Sequence, residues 1–273
     1  MSSTSHRAEG AARQARNSSA VRFLARAGFA ASGLVHLILG WLAVQLALGS
    51  SSGSADQSGA LRQVQQAPGG DVVLWAVTVG FAALALWQLL EALLGVPGVS
   101  DAKEVGARVK AAAKGVLYGV LAVTAARYAT GSGSGGGNQE ESYTAMVMQA
   151  PAGVWLVGAA GLVVVGVGVY HVVKGVRKKF LEDLRGTGGG AVGAAVVRLG
   201  QIGYVAKGVA LGVLGGLFVA AAVTHDADQA GGLDEALQTI RQQPFGTGLL
   251  IVIGIGIAAY GVYSFARARY AKL

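Results

Sequence analysis

Apolar residues run in six long stretches, roughly 24–48, 72–94, 111–129, 152–174, 199–223 and 245–266, with polar and charged residues gathered between them. A helix rises 1.5 Å per residue, so about 20 apolar residues cross the hydrocarbon core of a bilayer. The pattern predicts an all-α polytopic membrane protein with six transmembrane helices. The third stretch is the shortest and is flanked by Lys110, Lys114 and Arg127, but Gly115 to Ala126 is uncharged and long basic side chains near span ends snorkel. Residues 1–22 are hydrophilic, and the run that follows has no small-residue cleavage site at its end. That predicts a disordered tail and an uncleaved first anchor, the chain keeping Met1.

Charge sets the expected orientation. Of the 22 Lys and Arg, all but Arg62, Arg127 and Arg241 fall in the tail and first turns, in the 95–114 and 174–207 regions, or after residue 266. The alternate loops hold Asp56, Asp71, Glu140, Glu141, Asp226, Asp228, Asp234 and Glu235. Basic residues beside spans stay in the cytoplasm, so both termini are expected there, in a bacterial cytoplasmic membrane. The net charge of +8 is thereby mostly topological, and the basic loops are too short and Gly-rich for a nucleic-acid module. Only 13% of residues are charged, against roughly 25% in soluble domains. The 44 glycines follow no Gly-X-Y period, which excludes collagen, and the absence of cysteine removes disulfides, thiolate metal sites, Fe–S clusters and a lipoprotein anchor.

A two-span unit recurs three times. With Gly33, Gly115 and Gly208 in register, Pro68, Pro151 and Pro244 follow after 35 or 36 residues, each behind a glutamine. Nineteen residues past each proline stands an aromatic, Trp87, Tyr170 or Tyr263, and twenty-three past it a charge, Glu91, Lys174 or Arg267. The units are expected over 23–95, 104–175 and 196–269, parallel to one another and related by an axis along the membrane normal if they close around a centre. Short helical stretches precede the prolines at Leu61–Gln66 and Leu237–Gln242, with a more apolar copy at Tyr143–Gln149, and Ser50–Ser54, Gly131–Gly137 and Gly186–Gly190 read as flexible joints.

The Lys/Ser-Gly starts at 32–33, 114–115 and 207–208, the lead-in Arg198-Leu199-Gly200-Gln201-Ile202-Gly203-Tyr204 and the Gln-Ala-Pro segments carry a resemblance. Across nearly all of residues 22–270 the chain resembles an actinobacterial and cyanobacterial family of membrane proteins built from a tandem two-span domain of unknown function, usually in three copies. The resemblance implies six spans and no known chemistry. The first copy departs from the pattern with Ser32 in place of lysine.

Candidate residues fall in two sets. Gly208, Gly212 and Gly216, and Gly115 and Gly119 beside Ala111, form small-residue rows expected to let helices approach closely. Glu91, Lys114, Lys174, Lys207 and Arg267 form a band of ionisable groups about one turn inside the cytoplasmic boundary. Such charges either snorkel or pair, or their positive surplus binds an anionic lipid headgroup or a partner's acidic residue. His36 and His171 are the membrane histidines, but helix counting sets them at different depths, against joint haem ligation. His36 is expected to hydrogen-bond to Ser32, one turn away. His225 near Asp226 and Asp228 reads as a solvated loop residue.

Val154–Val169 and Gly248–Ala259 carry no charged, hydroxyl or amide side chain, which argues against a hydrated path. No nucleophile-and-base set, HExxH or phosphate loop is present. The sequence therefore predicts a non-enzymatic structural or accessory protein without cofactor, metal or catalytic residue, contacting anionic lipid, a membrane protein partner or a second copy. The alternative is a small-solute or ion transporter working through the pseudo-threefold centre, and a more remote one is a haem or quinone redox subunit.

Overall fold

The computed structural model describes residues 19–50, 55–95, 101–133, 145–150, 152–226 and 232–272. Of the tail expected over 1–22, residues 1–18 lie outside them and 19–22 are helical, and residues 51–54, 134–144 with the end of the glycine joint, Glu140 and Glu141, and Asp228 also lie outside. Eight helices organise the described chain: α1 Ser19–Ala47, α2 Gln57–Gln66, α3 Gly70–Leu94, α4 Asp101–Ala129, α5 Gly153–Val176, α6 Gly190–Thr224, α7 Leu233–Gln242 and α8 Gly246–Tyr270. A helical turn at 145–149 and a 3-10 turn at Lys179–Asp183 complete it, and no strand occurs among the described residues. The six long helices α1, α3, α4, α5, α6 and α8 are each long and apolar enough to cross a membrane. Helices α4 and α6 begin before their apolar stretches do. The head of α4 is braced by a Glu104–Arg108 ion pair, 2.7 Å and one turn apart, and that of α6 buries Val196 against Phe180 and Leu184.

Packing follows the repeat, but across its boundaries. The most extensive contacts join α3 to α4, α5 to α6 and α8 to α1, so each unit's returning span lies on the outgoing span of the next unit. Contacts within a unit, α1 with α3 and α6 with α8, are smaller, and α4 and α5 have none comparable. The three units thus approach a ring that is open at one seam, inside the second repeat.

Glycines mark where the helices touch. A Cβ on Gly208 would lie 2.6 Å from the carbonyl oxygen of Gly168, and one on Gly215 2.7 Å from that of Gly161. The α1–α8 contact repeats this with Gly33 against Gly261 and Gly40 against Gly254. Without a hydrophobic force between helices in lipid, such backbone proximity supplies the van der Waals contact that joins them. The close approaches are thus seven residues apart along the outgoing span, two turns, where the small-residue rows suggested four. Gly115 lies against Leu89, but Gly119, Gly212 and Gly216 have open space where a Cβ would stand, although the Gly212 backbone itself lies against Gly168.

At the end away from the start of α1 each unit makes the same turn before its returning span. The amides of Gly70, Gly153 and Gly246 donate to the carbonyls three residues earlier, Ala67 at 2.9 Å, Ala150 at 2.8 Å and Gln243 at 2.7 Å. The residue after each proline, Gly69, Ala152 or Phe245, adopts a left-handed conformation with φ of 73°, 64° or 62°. A Cβ on the next glycine would run into the backbone of Val64, Val147 or Ile240, so Pro-X-Gly belongs to the repeat signature. The short helices then interlock: the Ala55 amide donates to Asp234 Oδ1 at 2.6 Å, and Gln65 Nε2 to the Tyr128 carbonyl at 2.7 Å.

The end where α1 begins and α8 finishes, the basic side, is closed beneath α6 and α8. Phe180 of the 3-10 turn is fully buried there, the Arg185 amide donates to the Tyr270 carbonyl at 2.7 Å, and the Lys272 amide to that of Asp183 at 3.0 Å.

Candidate functional site

Each repeat delivers polar side chains to the basic half of the bundle from fixed positions. The residue before the aligned glycine is Ser32, Lys114 or Lys207; that twenty after the proline is Gln88, His171 or Ser264; that twenty-three after is Glu91, Lys174 or Arg267. Ser32, Gln88 and Ser264 are buried. Ser264 turns back on its own helix, donating to the Tyr260 carbonyl at 2.9 Å, and Gln88 Nε2 donates to Glu91 at 2.9 Å. The first copy thus keeps its charge on its own helix, although Gln88 Oε1 is buried without a donor. The second and third copies send theirs to other helices and turns.

His36 lies at the centre. A carbonyl can only accept, so His36 Nδ1–H donates to the Ser32 carbonyl at 2.7 Å, and Nε2 is left to accept from Lys207 Nζ at 3.0 Å. The partner on its own helix is thus the Ser32 backbone, one turn back. The Lys207 ammonium also stands 4.6 Å from the Tyr260 ring centroid, and that ring is 4.7 Å from the imidazole. On the other side Tyr204 stacks with His171 at 5.7 Å and with Phe180 at 5.4 Å, and meets Tyr260 at 5.2 Å and Tyr263 at 5.7 Å. Although helix counting separates the two histidines by depth, both touch this tyrosine pair. Tyr204 and Tyr260 link them, and His171 Nδ1 is taken by the Val167 carbonyl at 2.8 Å. Among the described residues no group of three His, Asp or Glu could hold a metal ion.

Arg267 is the cation least provided for. Its guanidinium lies 4.3 Å from the Phe29 ring centroid, Nη1 donates to Tyr260 Oη at the long distance of 3.5 Å, and Nε is buried with no acceptor. A buried N–H without a partner costs about 1–3 kcal/mol, so the arrangement is incomplete as it stands. Lys174 is held by Asp183 at 2.6 Å and faces the Tyr204 ring at 5.3 Å. Burial pushes the Asp183 carboxyl up, but the charges of Lys174 and Arg267 outweigh it and leave the group below the ordinary carboxylate range. Lys110 donates to Tyr170 Oη at 2.7 Å, bridging α4 and α5 at the mouth of the seam. Lys114 is exposed and makes no hydrogen bond among the described residues, while the charges of Arg267, Lys110, Lys174 and Asp183 all bear on it.

Of the five band residues read from the sequence, Lys114, Lys174, Lys207 and Arg267 belong to this cluster and Glu91 stays with Gln88. Sequence reading named Tyr204, Tyr263 and Lys110 as repeat or flanking positions without placing them in this cluster, and missed Tyr260, Phe180 and Asp183. A groove of about 770 Å³ between the far ends of α5 and α6 has an almost wholly apolar lining, with His225 at its rim, its Nδ1 3.3 Å from the Val223 carbonyl.

Three stretches of the chain, 27–95, 109–178 and 202–271, match the Domain of Unknown Function DUF1206. The chain belongs to the DUF1206 family. Each match spans one outgoing and one returning helix, so this DUF1206 protein is three copies of the domain in tandem. It is 27% identical over 252 residues to "Uncharacterized protein YxxB" of Bacillus subtilis (strain 168), covering 92% of this chain and 91% of that one. No solved structure matches it.

Proposed function

We propose that this DUF1206 protein is a non-enzymatic accessory protein of the bacterial cytoplasmic membrane, with both termini and the basic side in the cytoplasm, that binds an anionic lipid headgroup on that side. The observation that carries the reading is the convergence of Lys114, Lys174, Lys207 and Arg267 around buried tyrosines, with Arg267 Nε lacking an acceptor. A phosphate oxygen is the natural acceptor for a guanidinium and for ammonium groups. The tyrosine rings and the 3-10 turn hold Lys174, Lys207 and Arg267 in place, which favours binding over a hinged transport cycle.

A hydrated path is not supported, because the polar cluster ends near mid-span at His36 and Lys207, and beyond it Val154–Val169 of α5 and Gly248–Ala259 of α8 carry no charged, hydroxyl or amide side chain. The test is thermal stability in bilayer discs of phosphatidylcholine with and without phosphatidylglycerol. Phosphatidylglycerol is expected to raise the melting temperature of the wild type, and Arg267→Gln to remove most of that rise. Equal stability in both lipids would overturn the reading, and saturable solute flux in liposomes would replace it with transport.

A further inference from the structure

The seam between α4 and α5 has walls of a particular composition. On α4 the positions stacked beneath Lys114 by helical spacing are Leu117 and Leu121, and on α5 those beneath Lys174 are Val167 and Val163. Leu117 is 57% exposed, Val163 65% and Val167 42%, so the described residues leave these positions uncovered, while Leu121 packs partly against the core. At the basic end Lys110 and Tyr170 bridge the gap, and behind them lie Lys114, Lys174 and Arg267. The other five neighbouring pairs around the ring are packed helix on helix, so this is where the basic cluster meets the lipid directly.

We infer that the α4–α5 seam is the entry and seat of one anionic phospholipid, its phosphate against Lys114 and Arg267 and an acyl chain lying between the Leu117–Leu121 and Val163–Val167 walls. This rests on the proposed headgroup reading and adds where the lipid sits and how it reaches the cluster. Charge complementarity selects the occupant. Lys110, Lys114, Lys174 and Arg267 face the seam's basic end, and Asp183, the carboxylate among them, is already taken by Lys174. A free phosphate would satisfy the cations but leave the apolar walls bare, whereas a phospholipid has the matching order of charge and hydrocarbon along one molecule. The threefold-related openings are closed by protein, so one lipid is expected per chain.

The chain is tested with the photo-crosslinking residue benzoylphenylalanine at Leu117, and at Val116 on the neighbouring face as control, in bilayers containing a minority of phosphatidylglycerol. Lipid adducts at position 117 are expected to be enriched in phosphatidylglycerol about fivefold or more over the bulk, the size of one retained cation contact, and to fall to the bulk ratio with Lys114→Ala. Adducts at 116 should report the bulk ratio throughout. Native mass spectrometry of the wild type, with inorganic phosphate as a second arm, separates the failures. Bulk composition at 117 with anionic lipid still retained overturns the seam and leaves the headgroup reading standing. No anionic lipid retained overturns both. A phosphate adduct that displaces lipid without any enrichment at 117 identifies a free-anion site and overturns the seam, and a co-purifying polypeptide crosslinked at 117 overturns it in favour of a protein partner.

Discussion

Asp56 shows how a single polar group is used at the far end. It is buried, caps α2 by accepting from the Gly59 amide at 2.6 Å, and stands near Asp234 of the third repeat. Burial first, and the Asp234 charge second, push its carboxyl above the ordinary carboxylate value. A raised carboxyl favours the folded state when protonated, so its contribution is present at low pH and is lost as pH rises through the folded value. Asp56→Asn keeps an acceptor for the cap and removes the charge. The stability of wild type relative to Asp56→Asn is therefore expected to fall between pH 4 and pH 7, while Asp56→Ala, which leaves the Gly59 amide without its cap, is expected to cost about 1 kcal/mol across that range. Melting temperatures of the three proteins against pH check this. Asp183 acts in the opposite sense, its contribution being lost only as pH falls below the ordinary carboxylate range, and it cancels in the comparison. At this scale the sequence revealed the charges but not their company. Tyr260 aligns with Leu84 and Val167 in the other copies, and Tyr204 with Phe29 and Ala111, so a reading that follows the repeat passes over the residues that make the third copy different.

The helices themselves were legible, because apolar length fixes a membrane span more firmly than propensity fixes a soluble helix. Their contacts were less so. A row of small residues shows that a helix can be approached closely, but the face used depends on where the neighbour lies. A Cβ on Gly208 or Gly215 would point into α5, whereas one on Gly212 or Gly216, within the same apparent row, would point into open space, even though the Gly212 backbone itself lies against Gly168. Gly208→Val is accordingly expected to destabilise the protein by on the order of 1–3 kcal/mol, since its side chain would meet the Gly168 carbonyl and the Val172 backbone. Gly212→Val is expected to leave the melting temperature within a degree or two of wild type. Equal losses in the two variants would mean that α5 and α6 meet on a different face. The Pro-X-Gly turns were visible as prolines alone, because the need for glycine at their third position arises from the helix before the turn, which the sequence shows only faintly.

The three copies of the domain make a molecule that is nearly, but not fully, cyclic. Pairing each returning span with the next outgoing one uses every copy in the same way, and the α4–α5 seam breaks the pattern once. That break was not legible, since the second copy has the same spans and spacing as the others. Its own signal is weak: α5 is the span least covered by protein, and α4 the next. The asymmetry has a chemical counterpart, because Glu91 is satisfied by Gln88 on its own helix while Lys114 and Arg267 face one another's charge beside the seam. The account of this DUF1206 protein as a lipid-binding membrane component stands on that cluster. Its most direct test is native mass spectrometry of the protein extracted gently from its own membrane, alongside Arg267→Gln. The account predicts an anionic phospholipid retained by the wild type at one per chain and lost from the variant; a wild type that emerges without lipid, or a variant that keeps the same lipid equally well, would contradict it.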